Sequence, residues 1–148
     1  MGKLLMIILI MFCNYVITTA QTTSKIDESL QYEIMRHERS EKLRINILLN
    51  EQYDETEMRN KTQYIQNKEA KRSFMVNELK YFSQATQKNL ISFLTHREAI
   101  SAVSDIQSLW IVKMITCCAS IETIETLSAH PDILIIGWDN EQFMLPEE

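Results

Sequence analysis

The residues best suited to chemistry in this chain are two adjacent cysteines and three isolated histidines. Cys117 and Cys118 are neighbours, and a disulfide between neighbours cannot reach the usual Cα separation of about 5.5 Å. A metal site needs further ligands at useful spacing, and none lie near this pair in the sequence. We therefore interpret both cysteines as small apolar residues of a strand, and we expect neither a metal site nor a cofactor.

The histidines form no catalytic motif. His37, His96 and His130 stand in unrelated surroundings, and no glycine-framed serine of the nucleophile-elbow type is present. After residue 20 the only glycine is Gly137, which excludes a glycine-rich phosphate loop. We interpret the histidines as surface residues and expect the chain to be non-catalytic.

Residues 1–20 have the composition of a cleavable export signal. Lys3 is the only charge, an apolar run extends from residue 4 to residue 12, and residues 18–20 provide the small side chains that a signal peptidase recognises. The run is too short for a membrane span, which needs about 20 apolar residues. We expect the mature chain to begin at Gln21, to be secreted or periplasmic, and to have no stable membrane span.

Length and charge limit the class of protein. The chain has 148 residues, which allows one domain with tails. Without Lys3, 14 basic residues remain against 20 acidic ones, a net charge of 14 − 20 = −6. Nucleic-acid binding depends on a basic face, so we do not expect nucleic acid as a partner.

The spacing of apolar residues predicts alternating strands and helices. After a leader (21–41) with a short helix, the predicted elements are a strand at 43–49, a helix at about 55–97, strands at 100–106 and 109–118, a helix that begins after Ser120, and a strand at 133–136. This βαββαβ order predicts an α+β, ferredoxin-like fold, an antiparallel sheet with two helices on one face, plus the short N-terminal helix.

One face of such a sheet is left without helices. The third and fourth predicted strands are apolar on both sides, although a sheet with one wet face normally alternates. An exposed apolar face usually marks a partner surface, unless the N-terminal helix or the long helix covers it. The residues expected on that face are Trp110, Val112 and Met114, or their alternates Leu109, Ile111 and Ile115.

The order of residues in the second half of the chain carries a resemblance. The sequence predicts a strand, then a helix, then a Pro-Asp turn into a last strand. The residues that carry this order are Leu109-Trp110-Ile111-Val112, Ala119-Ser120, Ile124, Leu127, His130-Pro131-Asp132-Ile133, Ile136 and Asp139. This order resembles the propeptide inhibitor domain (pro-region) of secreted bacterial subtilisin-like serine peptidases. With the first strand and the long helix, the resemblance covers roughly residues 42–145.

The resemblance implies a partner, the catalytic domain of a subtilisin-like serine peptidase, in cis or in trans. A propeptide-inhibitor-like domain (42–139) would lay its open sheet face on two peptidase helices, with Asp105 as a candidate to cap a helix N-terminus. An extended C-terminal tail (140–148) would enter the substrate cleft as a strand. The implied tail contacts are Gln142, Phe143, Met144 and Leu145.

Two departures and one alternative accompany this interpretation. Leu145 matches the family's scissile position, but Pro146 would follow the cut and disfavours cleavage. Lys113 and Met114 replace smaller or neutral residues of the family strand. The alternative is a secreted ferredoxin-like domain that binds a small ligand or self-associates through its open sheet face, because such folds serve many functions.

Overall fold

The architecture follows the predicted order of strands and helices. A computed structural model describes residues 24–139. Its elements are α1 (Glu28–Ile34), β1 (Lys42–Leu49), α2 (Glu55–Thr62), α3 (Lys68–Glu98), β2 (Val103–Leu109), β3 (Met114–Ser120), α4 (Ile121–Ser128) and β4 (Ile133–Trp138). The strands form one antiparallel sheet in the order β2-β3-β1-β4. The predicted α+β, ferredoxin-like fold is confirmed. The expected export signal and the tail 140–148 lie outside the described residues.

The core lies between the sheet and the helices. Alternation along β1 places four apolar side chains on the helix side, and all four are buried: Leu43, Ile45, Ile47 and Leu49. They pack with apolar residues of the other strands and of α3 and α4, among them Leu90, Ile115, Ile124 and Ile136. Each such side chain contributes about 1.5–3 kcal/mol on burial, so this layer holds the sheet against the helices.

The predicted long helix is interrupted. Residues 63–67 separate α2 from α3, and Asn67 begins α3 by accepting a hydrogen bond from the Ala70 N–H at 2.9 Å. An N-cap asparagine satisfies a free N–H at a helix start. The polar residues continue without a break across this point, so the pattern did not indicate a second helix start. The prediction of one helix from residue 55 to residue 97 is therefore wrong in its first part.

α3 is longer than the sheet on which it packs. Its 31 residues span about 46 Å, whereas a strand of seven residues spans about 23 Å. The buried residues of α3 all lie in its C-terminal half: Ser83, Gln87, Leu90 and Leu94. The N-terminal half therefore extends past the sheet beside the β2–β3 turn.

The β2–β3 hairpin turns later than predicted. Gln107 and Ser108, the predicted turn, pair with Thr116 and Ile115 of β3, and the chain turns instead at residues 110–113. Lys113 has a φ of 50°, a left-handed conformation that suits a turn. Trp110 and Val112 therefore lie in the turn, and their predicted position on the sheet face is wrong. Met114 begins β3.

α1 closes the edge of the sheet beside β4. Asp27 caps it by accepting a hydrogen bond from the Leu30 N–H at 2.7 Å, and Leu30 is buried in the same core as β1. The Asp27 N–H donates to Ile136 O at 3.0 Å. Since α1 packs on the helix side, it does not cover the opposite face, where Ile135 stays 40% exposed.

Candidate functional site

The face of the sheet away from the helices, here called the open face, carries one row of apolar side chains. Leu109 pairs with Met114, Met114 with Leu48, and Leu48 with Ile135, so the row crosses all four strands. Leu109 and Ile135 are exposed by 36% and 40%, and the two central residues are half-buried. This apolar row lies at the end of the sheet nearest the hairpin turn.

The rest of the open face is polar. The next row contains Gln107, Thr116, Asn46 and Gly137, and the row beyond it contains Ser104, Cys118 and Arg44. The face therefore grades from apolar at the hairpin end to polar at the other end. The face therefore offers an apolar area at one end and hydrogen-bonding groups at the other, and partner surfaces commonly combine the two.

The polar end holds the chain as it leaves β4. Arg44 Nε donates to Asp139 Oδ2 at 2.7 Å, and Asn46 Nδ2 donates to Asp139 Oδ1 at 3.2 Å. The Asp139 N–H also donates to Arg44 O at 3.0 Å. These three bonds extend the pairing of β1 with β4 by one residue, so the last described residue is fixed against the sheet.

Asp105 lies at a bulge in β2. The pairing of β2 with β3 shifts between Ser104 and Gln107, and Asp105 takes a φ of 54° there. Its side chain is exposed at the sheet edge beside Cys118. Burial, reinforced by this carboxylate, raises the pKa of the Cys118 thiol. The candidate capping residue thus sits at the margin of the open face.

The two cysteines lie on opposite faces of β3. Cys117 pairs with Ile45 and is buried in the core, where burial raises its thiol pKa to about 12. Cys118 pairs with Arg44 on the open face and is half-buried. Both are free thiols. Their interpretation as strand residues is confirmed. Between residues 24 and 139, no group of three His, Cys, Asp or Glu side chains is arranged to hold a metal ion.

A cavity of about 650 Å³ lies on the other side, between α2, α3 and the hairpin turn. Lys113 lines it, although only 5% of this lysine is exposed. Its Nζ lies 4.5 Å from the ring centroid of Phe82 and 5.5 Å from that of Tyr53. Burial lowers the pKa of Lys113, and Glu51 partly opposes that change. A cation over two ring faces is attracted to both.

Lys61 ties α2 to α3 at the rim of this cavity. Its Nζ lies 2.8 Å from Glu57 Oε1 and 2.8 Å from Glu78 Oε2, and 3.3 Å from Tyr53 Oη. Hydrogen bonds to the two carboxylates raise the pKa of Lys61, and the bond from Lys61 lowers that of Glu78. The network is at the surface, where ion pairs contribute little stability, but it orients the Tyr53 ring over the cavity.

The histidines have separate local partners. His37 Nδ1 lies 2.8 Å from Glu33 O after α1, and the His130 ring lies 6.5 Å from the Phe93 ring. His96 is exposed on α3. The predicted tail contacts Gln142, Phe143, Met144 and Leu145 lie outside the described residues.

Sequence reasoning missed the Arg44–Asp139 contact and the aromatic surroundings of Lys113. Arg44 and Asp139 are 95 positions apart, and only the pairing of β1 with β4 brings them together. The available signal for Lys113 was its position as the one charged residue in the apolar stretch 109–118, but periodicity does not predict the turn that buries it.

The described residues define an α+β domain with ferredoxin-like strand order. Compared with family models, with curated proteins and with solved structures, the chain gave no match in any of the three comparisons. Among the helices at residues 24–139, none combines the length and the apolar character needed to cross a membrane.

Proposed function

We propose that this chain is the non-catalytic pro-domain of a subtilisin-like serine peptidase, acting as an intramolecular chaperone and an inhibitor of that peptidase. The open face docks on the peptidase surface, and the residues after Asp139 enter the substrate cleft. The observation that carries the proposal is the apolar row on the open face, with Leu109 and Ile135 exposed. An exposed apolar face of a soluble domain usually marks a partner surface.

The contacts at the end of β4 support the second part of the proposal. Asp139 is held by Arg44 and Asn46 at the polar end of the open face. A tail that starts from a fixed point loses less conformational freedom on binding than one that starts from a loose end. Main-chain hydrogen bonds of an extended tail then provide affinity in the cleft.

The chaperone and inhibitor roles have one physical origin. A domain that binds the native peptidase and not its unfolded chain stabilises the native form by mass action. The same contacts occupy the cleft and block substrate. Asp105, exposed at the margin of the open face, is the proposed partner for a peptidase helix N-terminus, whose partial positive charge attracts a carboxylate.

The test is inhibition of a subtilisin-type peptidase by purified Gln21–Glu148, beside a form truncated after Asp139. The proposal predicts slow, tight inhibition that is lost with the tail, while circular dichroism shows both forms folded. A folded chain that inhibits none of several subtilases would count against the proposal.

A second candidate function is a secreted ferredoxin-like domain that binds a small ligand or self-associates through its open face. The cavity of about 650 Å³ favours ligand binding, because small-molecule sites commonly occupy about 300–1,000 Å³. Tyr53, Met58 and Leu79 provide apolar lining and Lys113 a cation. This candidate predicts that inhibition is absent and that the cavity, not the tail, determines binding.

A further inference from the structure

The start of α3 gathers basic residues in an acidic chain. Between residues 59 and 80 there are six Lys or Arg against two Glu, while the whole chain has 15 basic residues against 20 acidic ones. Four of the six, here called the basic rim, lie beside the hairpin turn: Lys68, Lys71, Arg72 and Lys80. Glu69 lies next to the rim, and Glu78 is bound by Lys61.

The hairpin ends in an exposed apolar tip, residues 110–112. Ile111 is 67% exposed and Val112 is 51% exposed. Trp110 is half-buried, and Lys80 Nζ lies 5.3 Å from its ring centroid. An apolar tip of this kind is costly to expose to water unless another surface receives it.

A groove of about 450 Å³ joins the hairpin tip to the basic rim. Its floor is apolar, and its charged lining residues are all basic. The lining consists of Lys68, Lys71, Arg72, Met75, Val76, Leu79, Trp110 and Ile111. The groove lies on the helix side of the sheet, because it is formed with α3. A peptidase bound to the open face therefore leaves the groove available.

We propose that the hairpin tip and the basic rim form a docking site for an anionic lipid membrane. Ile111 and Val112 enter the apolar part of the interface, and Trp110 lies at the level of the head groups, where amphipathic rings are favoured. The rim faces the lipid phosphates. Each basic residue near an anionic membrane adds attraction that falls off within a Debye length.

Shape and charge favour a membrane over other anionic partners. A flat, soft surface can bury Ile111 and Val112 together, whereas a peptide bound in the groove would contact Ile111, which lines it, and leave Val112 in water. A nucleic acid would also meet the basic rim, but it has no apolar layer to receive Ile111 and Val112.

The test is co-sedimentation of Gln21–Glu148, which contains every described residue, with vesicles of phosphatidylcholine alone or with 30% phosphatidylglycerol. We expect binding to the anionic vesicles only, weakening as salt rises. K68E/R72E and I111S/V112S should each reduce binding about tenfold or more. The matched controls are K88E, an exposed lysine elsewhere on α3, and I100S, whose side chain is 67% exposed like Ile111.

Three results would overturn this proposal. They are equal binding to both kinds of vesicle, losses in the controls as large as in the test variants, and binding to polyglutamate or single-stranded DNA with none to anionic vesicles. Circular dichroism checks that each variant is folded. Because Lys68 and Arg72 are both exposed on α3, the K68E/R72E variant decides between the outcomes if the I111S/V112S variant does not fold.

Discussion

Arg44 of β1 contacts Asp139, which follows the last strand, at the polar end of the open face. Arg44 Nε donates to Asp139 Oδ2 at 2.7 Å, and the Asp139 N–H donates back to Arg44 O at 3.0 Å. The contact combines a charge-assisted bond with a main-chain bond, which gives it a defined geometry. It sets the position from which the residues beyond β4 continue.

Removing this contact should cost measurable stability. A double-mutant cycle of Arg44→Gln and Asp139→Asn should give a coupling energy of about 1 kcal/mol, because both side chains are partly buried and the hydrogen bond is charge-assisted. Urea unfolding measures it. The matched pair is Arg39–Glu125, which is longer at 3.5 Å and more exposed, and it should couple by less than about 0.5 kcal/mol. Equal coupling in the two pairs would show that the Arg44–Asp139 contact has no special role.

Lys113 should be replaceable by an apolar side chain of similar length. Burial costs the ammonium group solvation that the rings of Tyr53 and Phe82 only partly restore. Lys113→Met should therefore equal the wild type or exceed it by up to about 1 kcal/mol at neutral pH, whereas Lys113→Ala should lose about 1–2 kcal/mol through lost packing. Urea unfolding at pH 7 distinguishes these outcomes, and a large loss in the methionine variant would mean that the cation itself is required.

The buried Lys113 should make the stability of the protein depend on pH in the alkaline range. Burial lowers the folded-state pKa of Lys113 below its ordinary value of 10.5. The cost of the buried charge is therefore fully present at neutral pH. It is relieved as pH rises toward 10.5, because the folded state releases the proton first. As the pH is raised from neutral toward 10.5, the wild type should gain stability relative to Lys113→Met, and a difference that stays constant over this rise contradicts the assignment.

Replacing Ser83 by alanine should stabilise the protein. It is 1% exposed on α3, and its Oγ has no hydrogen-bond partner among the described residues. A buried hydroxyl without a partner costs about 1 kcal/mol or more. Ser83→Ala should therefore raise the free energy of unfolding by about 0.5–1 kcal/mol more than Ser92→Ala does, since Ser92 is exposed on the same helix and controls for helix propensity. Thermal unfolding of both variants provides the comparison.

The cysteines should differ in reactivity because they lie on opposite faces of β3. Cys118 is half-buried on the open face, and Cys117 is 1% exposed in the core with a thiol pKa of about 12. A thiol reagent should label Cys118 first and Cys117 only on unfolding, since the thiolate is the reactive form. Mass spectrometry after timed labelling measures both rates. Similar labelling rates at the two positions would contradict the placement of Cys117 in the core and Cys118 on the open face.

The sequence was sufficient to predict the order of strands and helices but not the position of the β2–β3 hairpin turn. Alternation in β1 predicted the buried set from Leu43 to Leu49 correctly, because one face meets the core and the other does not. In β2 that rule failed, since an edge strand with a bulge admits polar residues such as Gln107 and Ser108. Residues 110–112 are apolar, which predicted a strand, but they form the turn: Trp110 is half-buried beside Lys80 of α3, and Ile111 and Val112 are exposed.

The sequence predicted only part of the candidate site. An exposed apolar face was expected, but Trp110 and Val112 were assigned to it, and the register gives Leu48, Leu109, Met114 and Ile135 instead. Register depends on pairing between distant strands, which periodicity within one strand does not reveal. Met114 of the first predicted set and Leu109 of the alternate set belong to the observed row.

The central claim, that the open face docks on a subtilase, is tested most directly by binding to a subtilisin-type peptidase with a blocked active site. Ile135→Asp and Leu109→Asp, at the two ends of the apolar row, should each weaken binding about tenfold or more, while Ile100→Asp, at an exposed apolar residue outside the sheet, should leave it unchanged. Equal affinity of all three folded variants, or no binding of the folded wild-type chain, contradicts the claim.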